Sequence, residues 1–246
     1  MPWKWYDSKI IRIEDTTSTT KRFWVEIPDE SINFRAGQFV TMDLPILEKR
    51  LKRWRSNSIA NHPDGSNIPE FCIVKLDGGA GTTYLFEEAK IGTTIRFKGP
   101  SGAFCLPETI DKDLVFICTG TGISPFRAMI ADIYAHDIPH RNIHLIFGTR
   151  HAEGILYQKE LENWAATKSE FSYSVALSRA DTLPQSKHIM FEKGYVHSIY
   201  QKAHAQARPD VAFYLCGWSN MIDEAVENLL LKQNYDKSQV HYELYG

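Results

Sequence analysis

The chain has 246 residues, 43% of them hydrophobic and 24% charged, with a formal net charge of -2, which excludes a disordered or fibrous protein and one that coats nucleic acid. This length fits either one large domain or two of ordinary size, and we expect two. The N-terminus lacks the apolar core of a signal peptide and no stretch approaches the roughly 18 uninterrupted apolar residues of a membrane span, so we expect a cytoplasmic protein without a membrane partner.

The first half of the chain, as far as about Pro107, has the pattern of short strands separated by turn residues. Five strands are predicted, over residues 10–13, 22–27, 37–44, 71–76 and 94–99. Several of them alternate apolar with polar residues, which is typical of an antiparallel sheet or barrel with one buried face. One short helix is predicted near residues 84–89.

Beyond Asp111 the pattern changes to apolar runs that are followed by helices. The runs cover residues 114–118, 143–147, 171–177 and 212–216. After the first run, apolar residues stand at the spacing of one helical face from Phe126 onwards. Alternating strands and helices predict a parallel sheet with helices on both faces. We place the domain boundary near residues 108–113, which gives domains of residues 1–109 and 110–246.

A glycine-rich turn, TGTGISPF, follows the first apolar run. Gly120 and Gly122, on either side of Thr121, permit a tight turn and a close backbone approach, and Pro125 suits the first turn of a helix. In a nucleotide site, a phosphate or ribose would lie against this backbone. The alternative is plain turn chemistry, because glycine is common after any strand.

The residues after the other apolar runs favour the nucleotide site. Arg150 follows the second run, Ser178 and Arg179 follow the third, and Cys216 ends the fourth before Gly217. Because the carboxyl ends of parallel strands meet at one edge of the sheet, two arginines and a thiol are predicted to converge there.

No metal site is predicted. The four cysteines form no C-x-x-C pair, so any electron carrier is expected to be a bound organic cofactor. His136, His140 and His144 have the spacing of successive helical turns, but Pro139 would break that helix. A solvated turn is therefore favoured over a metal site for these histidines.

Taken in order, these motifs resemble the ferredoxin-NADP reductase family, flavoenzymes that pair a flavin-binding barrel with a nucleotide-binding domain. RSNSIAN (residues 55–61) is similar to the family's flavin motif, Arg-x-Tyr-Ser followed by an apolar residue, Ala or Ser, and a small polar residue. GGAGTTYL and GPSGAF resemble its glycine-rich turn and barrel-closing loop, and GTGISPF, FGTR, LYQKEL and LCG follow in the family's order. The resemblance implies an antiparallel flavin-binding β-barrel followed by a parallel-sheet nucleotide-binding domain.

The resemblance also implies a flavin site, with FAD favoured over FMN because of the GPSGAF loop. Its residues would be Arg55, Asn57, Ser58, Ile59, Val74, Gly81, Thr82 and Tyr245. Arg55 would bind the diphosphate with paired hydrogen bonds, and Thr82 would hold the same phosphates through backbone N–H groups. Ser58 would place its hydroxyl near flavin N5, which accepts the hydride.

Asn57 departs from the family pattern, because a tyrosine usually stacks against the flavin at this position. An amide has no aromatic face, so either Trp54 or a residue from elsewhere substitutes, or the flavin is held less tightly. Tyr245 would cover the ring face that the nicotinamide must reach. The alternative for Tyr245 is a surface tyrosine on a C-terminal strand.

For the nicotinamide cofactor, Ser178 and Arg179 resemble the pair that binds the 2'-phosphate in NADPH-using members, and Arg150 would add a second charge. Together with Gly120, Thr121 and Gly122 they form the predicted NADP site. NADPH is favoured because no acidic residue stands ready for the ribose hydroxyls of NADH. The alternative for Arg179 is a surface arginine beside Asp181, and Tyr195 stands where some members carry another arginine.

Three residues are assigned catalytic roles by the resemblance: Ser58, Cys216 and Glu243. Cys216 would lie beside nicotinamide C4, and Glu243 would assist proton movement at flavin N5. From the residues alone, a buried structural cysteine is the favoured interpretation of Cys216.

The sequence thus predicts a monomeric NADPH-dependent flavoprotein that passes electrons through FAD to a ferredoxin or flavodoxin. The basic residues Lys49, Arg50, Lys52 and Arg53 form either a docking surface for such an acidic carrier or a solvated loop. The alternatives are a reductase of free flavins or ferric complexes, and a flavin-binding subunit of a larger complex.

Overall fold

The structure, a computed structural model, describes residues 4–47 and 49–245, except for the side chains of residues 50, 51 and 245. Its contacts divide the chain into two compact units. Unit 1 comprises Met1–Leu106 and Ser124–Asp137, and unit 2 comprises Pro107–Ile123 and Ile138–Gly246. Within the described ranges, every helix is too short or too polar to cross a membrane.

Unit 1 contains an antiparallel sheet of six described strands in the order β4-β3-β6-β1-β2-β5. The strands are β1 Trp5–Thr17, β2 Thr20–Glu26, β3 Phe39–Asp43, β4 Trp54–Ser58, β5 Glu70–Val74 and β6 Thr94–Ser101. The two end strands are joined by a bridge between Ile59 and Phe71, and the Ala60 N–H donates to the Glu70 carbonyl at 2.8 Å. The sheet therefore closes on itself, which confirms the predicted antiparallel barrel.

Two short helices accompany the barrel: α1 Arg50–Arg53 precedes β4, and α2 Ala80–Thr83 continues as a π-helix over Tyr84–Glu88. The second confirms the short helix predicted near residues 84–89. The barrel interior is apolar, with Phe23, Val40 and Phe97 fully buried. Unit 1 also includes most of α3 (Ile123–Ala135), which packs Phe126 against Phe104 at a ring-centroid distance of 5.8 Å.

Unit 2 contains a parallel sheet of six described strands in the order β10-β9-β8-β7-β11-β12. The strands are β7 Asp113–Thr119, β8 Ile143–Thr149, β9 Phe171–Leu177, β10 Ile189–Lys193, β11 Val211–Trp218 and β12 Val240–Tyr245. The remaining helices are α4 Gln158–Thr167, α5 Val196–Ala203 and α6 Ser219–Glu227, the last continued by a π-helix over Asn228–Lys232.

Helices cover both faces of this sheet. Ala176 of β9 belongs to the buried cluster that includes α5 and α6 side chains, such as Ile199 and Ile222. Phe171 of the same strand contacts Trp164 of α4 at 6.1 Å between ring centroids. Because side chains alternate along a strand, residues 171 and 176 point to opposite faces. This arrangement confirms the predicted parallel sheet with helices on both sides.

The strand order places a topological switch point between β7 and β11. From β7 the chain proceeds outward through β8 and β9 to β10, then returns to the other side of β7 as β11. Ligands of such sheets bind beyond the carboxyl ends of the strands at this point. Gly120 and Gly217 stand at the ends of these two strands.

Candidate functional site

In unit 1 the structure brings together Arg55 and Gly81, two of the residues predicted to bind the flavin. A Cβ atom on Gly81 would lie 3.0 Å from both Cγ and Nε of Arg55, so glycine allows the guanidinium to lie against the start of α2. Arg55 Nη1 donates to the carbonyls of Trp54 at 2.7 Å and Lys52 at 3.0 Å, which fixes its direction. Among the described residues no carboxylate lies within ion-pair distance of Arg55.

The side chain of Thr82 makes hydrogen bonds within the glycine-rich turn. Its Oγ1 accepts a hydrogen bond from the Leu76 N–H at 3.1 Å and donates to the Gly79 carbonyl at 3.0 Å. The hydroxyl therefore stabilises the glycine-rich turn, and the backbone N–H groups at the start of α2 are what this segment offers to a phosphate. Val74, at the end of β5, is half-buried two residues before Leu76.

β4 carries the other predicted flavin residues. Asn57 is half-buried, and its Nδ2 lies 3.5 Å from Met42 Sδ and 3.4 Å from the Arg55 carbonyl. Ser58 is 5% exposed, and Ile59 is fully buried in the barrel-closing bridge. Arg55 and Asn57 share one face of the strand, and Ser58 lies on the other.

Trp54 is placed away from Asn57. The two residues are three apart on β4, so their side chains point to opposite faces. Trp54 packs at 5.9 Å from the Trp5 ring, and Lys98 Nζ lies 3.9 Å from the Trp54 ring centroid, a cation–π contact. The side chain of Tyr245, the other predicted aromatic, lies outside the described part of the chain.

In unit 2 the turns after β7 and β11 approach each other so closely that both require glycine. A Cβ on Gly122 would lie 2.4 Å from the Cys216 carbonyl oxygen, and one on Gly217 would lie 2.6 Å from Thr119 Oγ1. Thr119 Oγ1 also accepts the Trp218 N–H at 3.1 Å. Sequence reasoning missed Thr119, although a hydroxyl residue directly before a glycine turn is a usable signal. By contrast, a Cβ on Gly120 would face open space.

Cys216 and Glu243, two of the predicted catalytic residues, are neighbours, because they are paired across β11 and β12. Cys216 is also paired with Cys118 of β7, and both cysteines are fully buried. Burial, together with the nearby Cys216, raises the pKa of the Cys118 thiol well above its ordinary value. This corner of the sheet is therefore apolar and disfavours the thiolate form of Cys118.

The ends of β8 and β9 bring Arg150, Ser178 and Arg179 together. The Arg179 N–H donates to the Arg150 carbonyl at 2.8 Å, and the Ser178 N–H donates to the Thr149 carbonyl at 3.0 Å. Both arginines are exposed, and no described carboxylate, including that of Asp181, lies within ion-pair distance of either.

Tyr195 lies at the same corner. The N–H of the preceding residue, Gly194, donates to the Leu177 carbonyl at 3.0 Å, directly before Ser178. The Tyr195 side chain is 72% exposed just ahead of α5. An aromatic face and two cations therefore border the ends of β8 and β9.

The histidines that were considered as metal ligands contact other polar groups of the chain. α3 ends at Ala135, His136 Nδ1 lies 2.9 Å from Asp132 Oδ1, and His144 of β8 lies 2.8 Å from Ser174 Oγ through its Nε2. In the described ranges no three potential ligands are grouped as a metal site.

In the basic segment before β4, Lys49 and Lys52 are exposed, whereas Arg53 makes two hydrogen bonds to Asp43 at 2.8 and 2.6 Å. The Arg50 side chain lies outside the description.

Comparison with known proteins agrees with this geometry. Residues 7–105 match the family described as "Oxidoreductase FAD-binding domain", and residues 116–227 match "Oxidoreductase NAD-binding domain". The chain belongs to the ferredoxin-NADP reductase-like family of oxidoreductases, with FAD-binding and NAD(P)-binding domains.

The relatives differ in length. The chain is 31% identical to the phenol hydroxylase P5 protein of Acinetobacter pittii over 97% of its own residues but only 65% of that protein. It is 28% identical to ferredoxin--NADP reductase B of Sorangium cellulosum, over 98% of the chain and 97% of the relative. A ferredoxin NADP+ reductase from Neisseria gonorrhoeae with bound FAD and NADP shares the fold, with a TM-score of 0.80, 23% identity and 98% coverage of both chains.

Proposed function

We propose that this reductase takes a hydride from NADPH and passes electrons through FAD to a ferredoxin or flavodoxin. The observation that carries the choice of NADPH is the pair of exposed arginines, Arg150 and Arg179, beside Ser178, without a described carboxylate to neutralise them. A 2'-phosphate is the part of NADPH that NADH lacks, and guanidinium groups bind phosphate with paired hydrogen bonds.

The residues present fit both cofactors. Gly81 leaves room for Arg55 at the start of α2, and the donors there suit a diphosphate. Gly122 and Gly217 allow the close approach of backbone that a dinucleotide site needs at the switch point. Bound FAD would supply a centre that accepts two electrons together and releases them singly.

The protein's part is to hold the reacting groups in place. Arg55 and the amides of α2 would hold the flavin phosphates, and Ser58 would direct a hydroxyl at flavin N5. Cys216, at the end of β11, would border the nicotinamide site and help to exclude water from it. Glu243, beside Cys216 on the sheet, would accept or deliver a proton.

A ferredoxin or flavodoxin is proposed as the acceptor because Lys49 and Lys52 present positive charge on a chain of net charge -2. The name of the Sorangium relative states a ferredoxin partner for that protein. Reduction of an acidic carrier should then slow steeply as salt rises, whereas reduction of ferricyanide should not. A rate with free flavin or ferric complexes that exceeds the carrier rate and ignores salt would favour the alternative reductase.

The first experiment is an anaerobic titration of the FAD-loaded protein with NADPH and, separately, NADH, following the flavin absorption band. Rapid bleaching by NADPH and slow bleaching by NADH is the expected result. Equal bleaching by both would refute the NADPH assignment. A protein that retains no added FAD would refute the reductase itself and favour a subunit of a larger complex.

A further inference from the structure

Glu70, the first residue of β5, is a buried carboxylate held between two arginines. Its side chain is 3% exposed, Oε1 accepts from Arg22 Nε at 2.7 Å, and Oε2 lies 3.1 Å from Arg127 Nη1. The side chains of Arg22 and Arg127 are only 18% and 12% exposed. Glutamate is almost never buried to this degree unless it is paired.

Barrel stability alone does not explain this network. Removing two charges from water costs several kcal/mol per ion, and well-packed apolar residues in place of a buried ion network often leave a protein as stable or more stable. The best-attested use of such networks is to select one arrangement of the chain among several. Glu70 and Arg127 are therefore expected to hold one segment of the chain in place.

The contacts point to the segment that directly follows Ser58. Arg127 Nη1 donates to the Ala60 carbonyl at 2.7 Å, in addition to its contact with Glu70. The Glu70 backbone accepts the Ala60 N–H at 2.8 Å, and its own N–H donates to Asn61 Oδ1 at 2.8 Å. Glu70 and its arginine thus bind both polar groups of the Ala60 backbone.

This attachment matters because β4 is an end strand. It pairs along its length with β3, and its other side joins β5 only at its carboxyl end, through Ile59 and Ala60. The orientation of Ser58, the last residue of β4, therefore depends on how residues 59 and 60 are held. A displacement of about 1 Å at a reacting centre can cost about a hundredfold in rate.

We propose that Glu70 and Arg127 are positioning residues for the flavin motif. Their ion pair directs the Arg127 guanidinium at the Ala60 carbonyl, and this contact sets the direction in which Ser58 presents its hydroxyl to the flavin ring. The inference rests on the proposed function of Ser58, and it concerns residues that neither of the two cofactor motifs contains.

The test compares three variants of the full chain loaded with FAD. Glu70→Leu/Arg127→Met replaces Glu70 and Arg127 with apolar side chains, and Glu70→Leu alone leaves Arg127 buried without that carboxylate. Both variants take Glu70 away from Arg22 and leave it Glu14, at 3.6 Å, so the comparison between the two concerns Arg127. Glu14→Gln is the matched control, because Glu14 also faces Arg22, at 3.6 Å, but is 39% exposed and far in sequence from the flavin motif. The measurements are the thermal midpoint, the visible circular dichroism of bound FAD, and the single-turnover rate of reduction by NADPH.

We expect the double variant to melt at a higher temperature than Glu70→Leu, yet to show altered visible dichroism and at least a tenfold slower reduction. Glu14→Gln should match the wild type in all three. A double variant with wild-type dichroism and rate would overturn the proposal and leave the network a purely structural one.

If the double variant does not fold, Arg127→Lys keeps the inference testable. Lysine keeps the charge beside Glu70, but its ammonium is a point charge on a flexible stem, without the planar guanidinium that fixes Nη1 against both Glu70 and the Ala60 carbonyl. Altered dichroism is again expected, and wild-type dichroism and rate would refute the proposal. A wild-type protein that binds no FAD would instead refute the proposed function, which separates the two failures.

Discussion

The histidine pair of unit 2 leads to a quantitative prediction about acid stability. His144 of β8 and His204, just after α5, lie with ring centroids 5.8 Å apart, and His144 Nε2 is 2.8 Å from Ser174 Oγ. Burial, with a smaller contribution from the neighbouring His204, lowers the pKa of His144 to about 4. Burial and the nearby Arg208 likewise lower the pKa of His204 to about 4.

The lowered pKa of His144 determines whether the free energy of unfolding rises or falls with pH. With a folded pKa below the unfolded value, the unfolded chain binds a proton that the folded chain refuses, so the free energy of unfolding falls as pH drops from about 6.5 to about 4. For His144 alone the loss is about 2 kcal/mol between pH 7 and pH 5 and about 3 kcal/mol by pH 4, at 1.36 kcal/mol for each pH unit of full effect. Below the folded pKa of about 4 the loss levels off, because both states then bind the proton.

The perturbation is His144→Gln, which removes the titrating ring but keeps a polar group near Ser174. Urea unfolding at pH 7 and pH 5 would measure the free energy of unfolding of the wild type, this variant and His188→Gln. His188 is exposed and serves as the control. The variant should lose about 2 kcal/mol less than the wild type between the two pH values, whatever its stability at pH 7. Identical pH dependence in all three proteins would refute the argument.

The remaining predictions concern the cofactor sites. Arg179→Leu should lower kcat/KM for NADPH by about 10- to 100-fold, which corresponds to the loss of one charged hydrogen bond, and should leave kcat/KM for NADH unchanged. An equal loss of kcat/KM with both cofactors would contradict a contact between Arg179 and the 2'-phosphate. Gly122→Ala should abolish retention on an immobilised 2',5'-ADP column, because a Cβ at position 122 would lie 2.4 Å from the Cys216 carbonyl oxygen. Normal retention of the variant would mean that the turn can open. Gly81→Ala should weaken FAD binding by displacing Arg55, and an unchanged FAD dissociation constant in a fluorescence titration would argue against that role.

The parallel sheet was the most predictable part of the fold. The apolar runs at β7, β8, β9 and β11 are buried on both faces, so almost every residue in them is hydrophobic, and β9 was predicted with its observed bounds. β10 was missed because it is an edge strand in which one of five residues is buried. A polar edge strand carries little of the pattern by which strands are recognised.

The barrel strands were recognised only where apolar residues dominate. β1 extends over 13 residues instead of the four predicted, because its outward positions are charged and its first half buries Ser8 among Tyr6 and Ile10. β4, with the sequence WRSNS, was not predicted as a strand at all, since one of its five residues is apolar. Its conformation is imposed by pairing with β3, a long-range interaction that no local pattern encodes.

The residues of the candidate site likewise divide into those that a local sequence pattern indicates and those that only long-range contacts bring together. The position of glycines and arginines at strand ends was predictable because their spacing has a local meaning, as for Gly122 and Arg179. Glu70 and Arg127 went unnoticed because they are 57 positions apart and their pairing exists only in the folded chain. A buried ion pair between distant residues leaves no periodic signal in the sequence.

The grouping of residues 124–137 with the barrel has a consequence for how the protein is synthesised. The ribosome makes the six barrel strands first, but the helix that supplies Phe126 and Arg127 emerges only after β7, the first strand of the other unit. A nascent chain that ends at residue 109 would hold Glu70 and Phe104 without those partners. The barrel therefore reaches its final packing only after β7, the first strand of the other unit, has been synthesised.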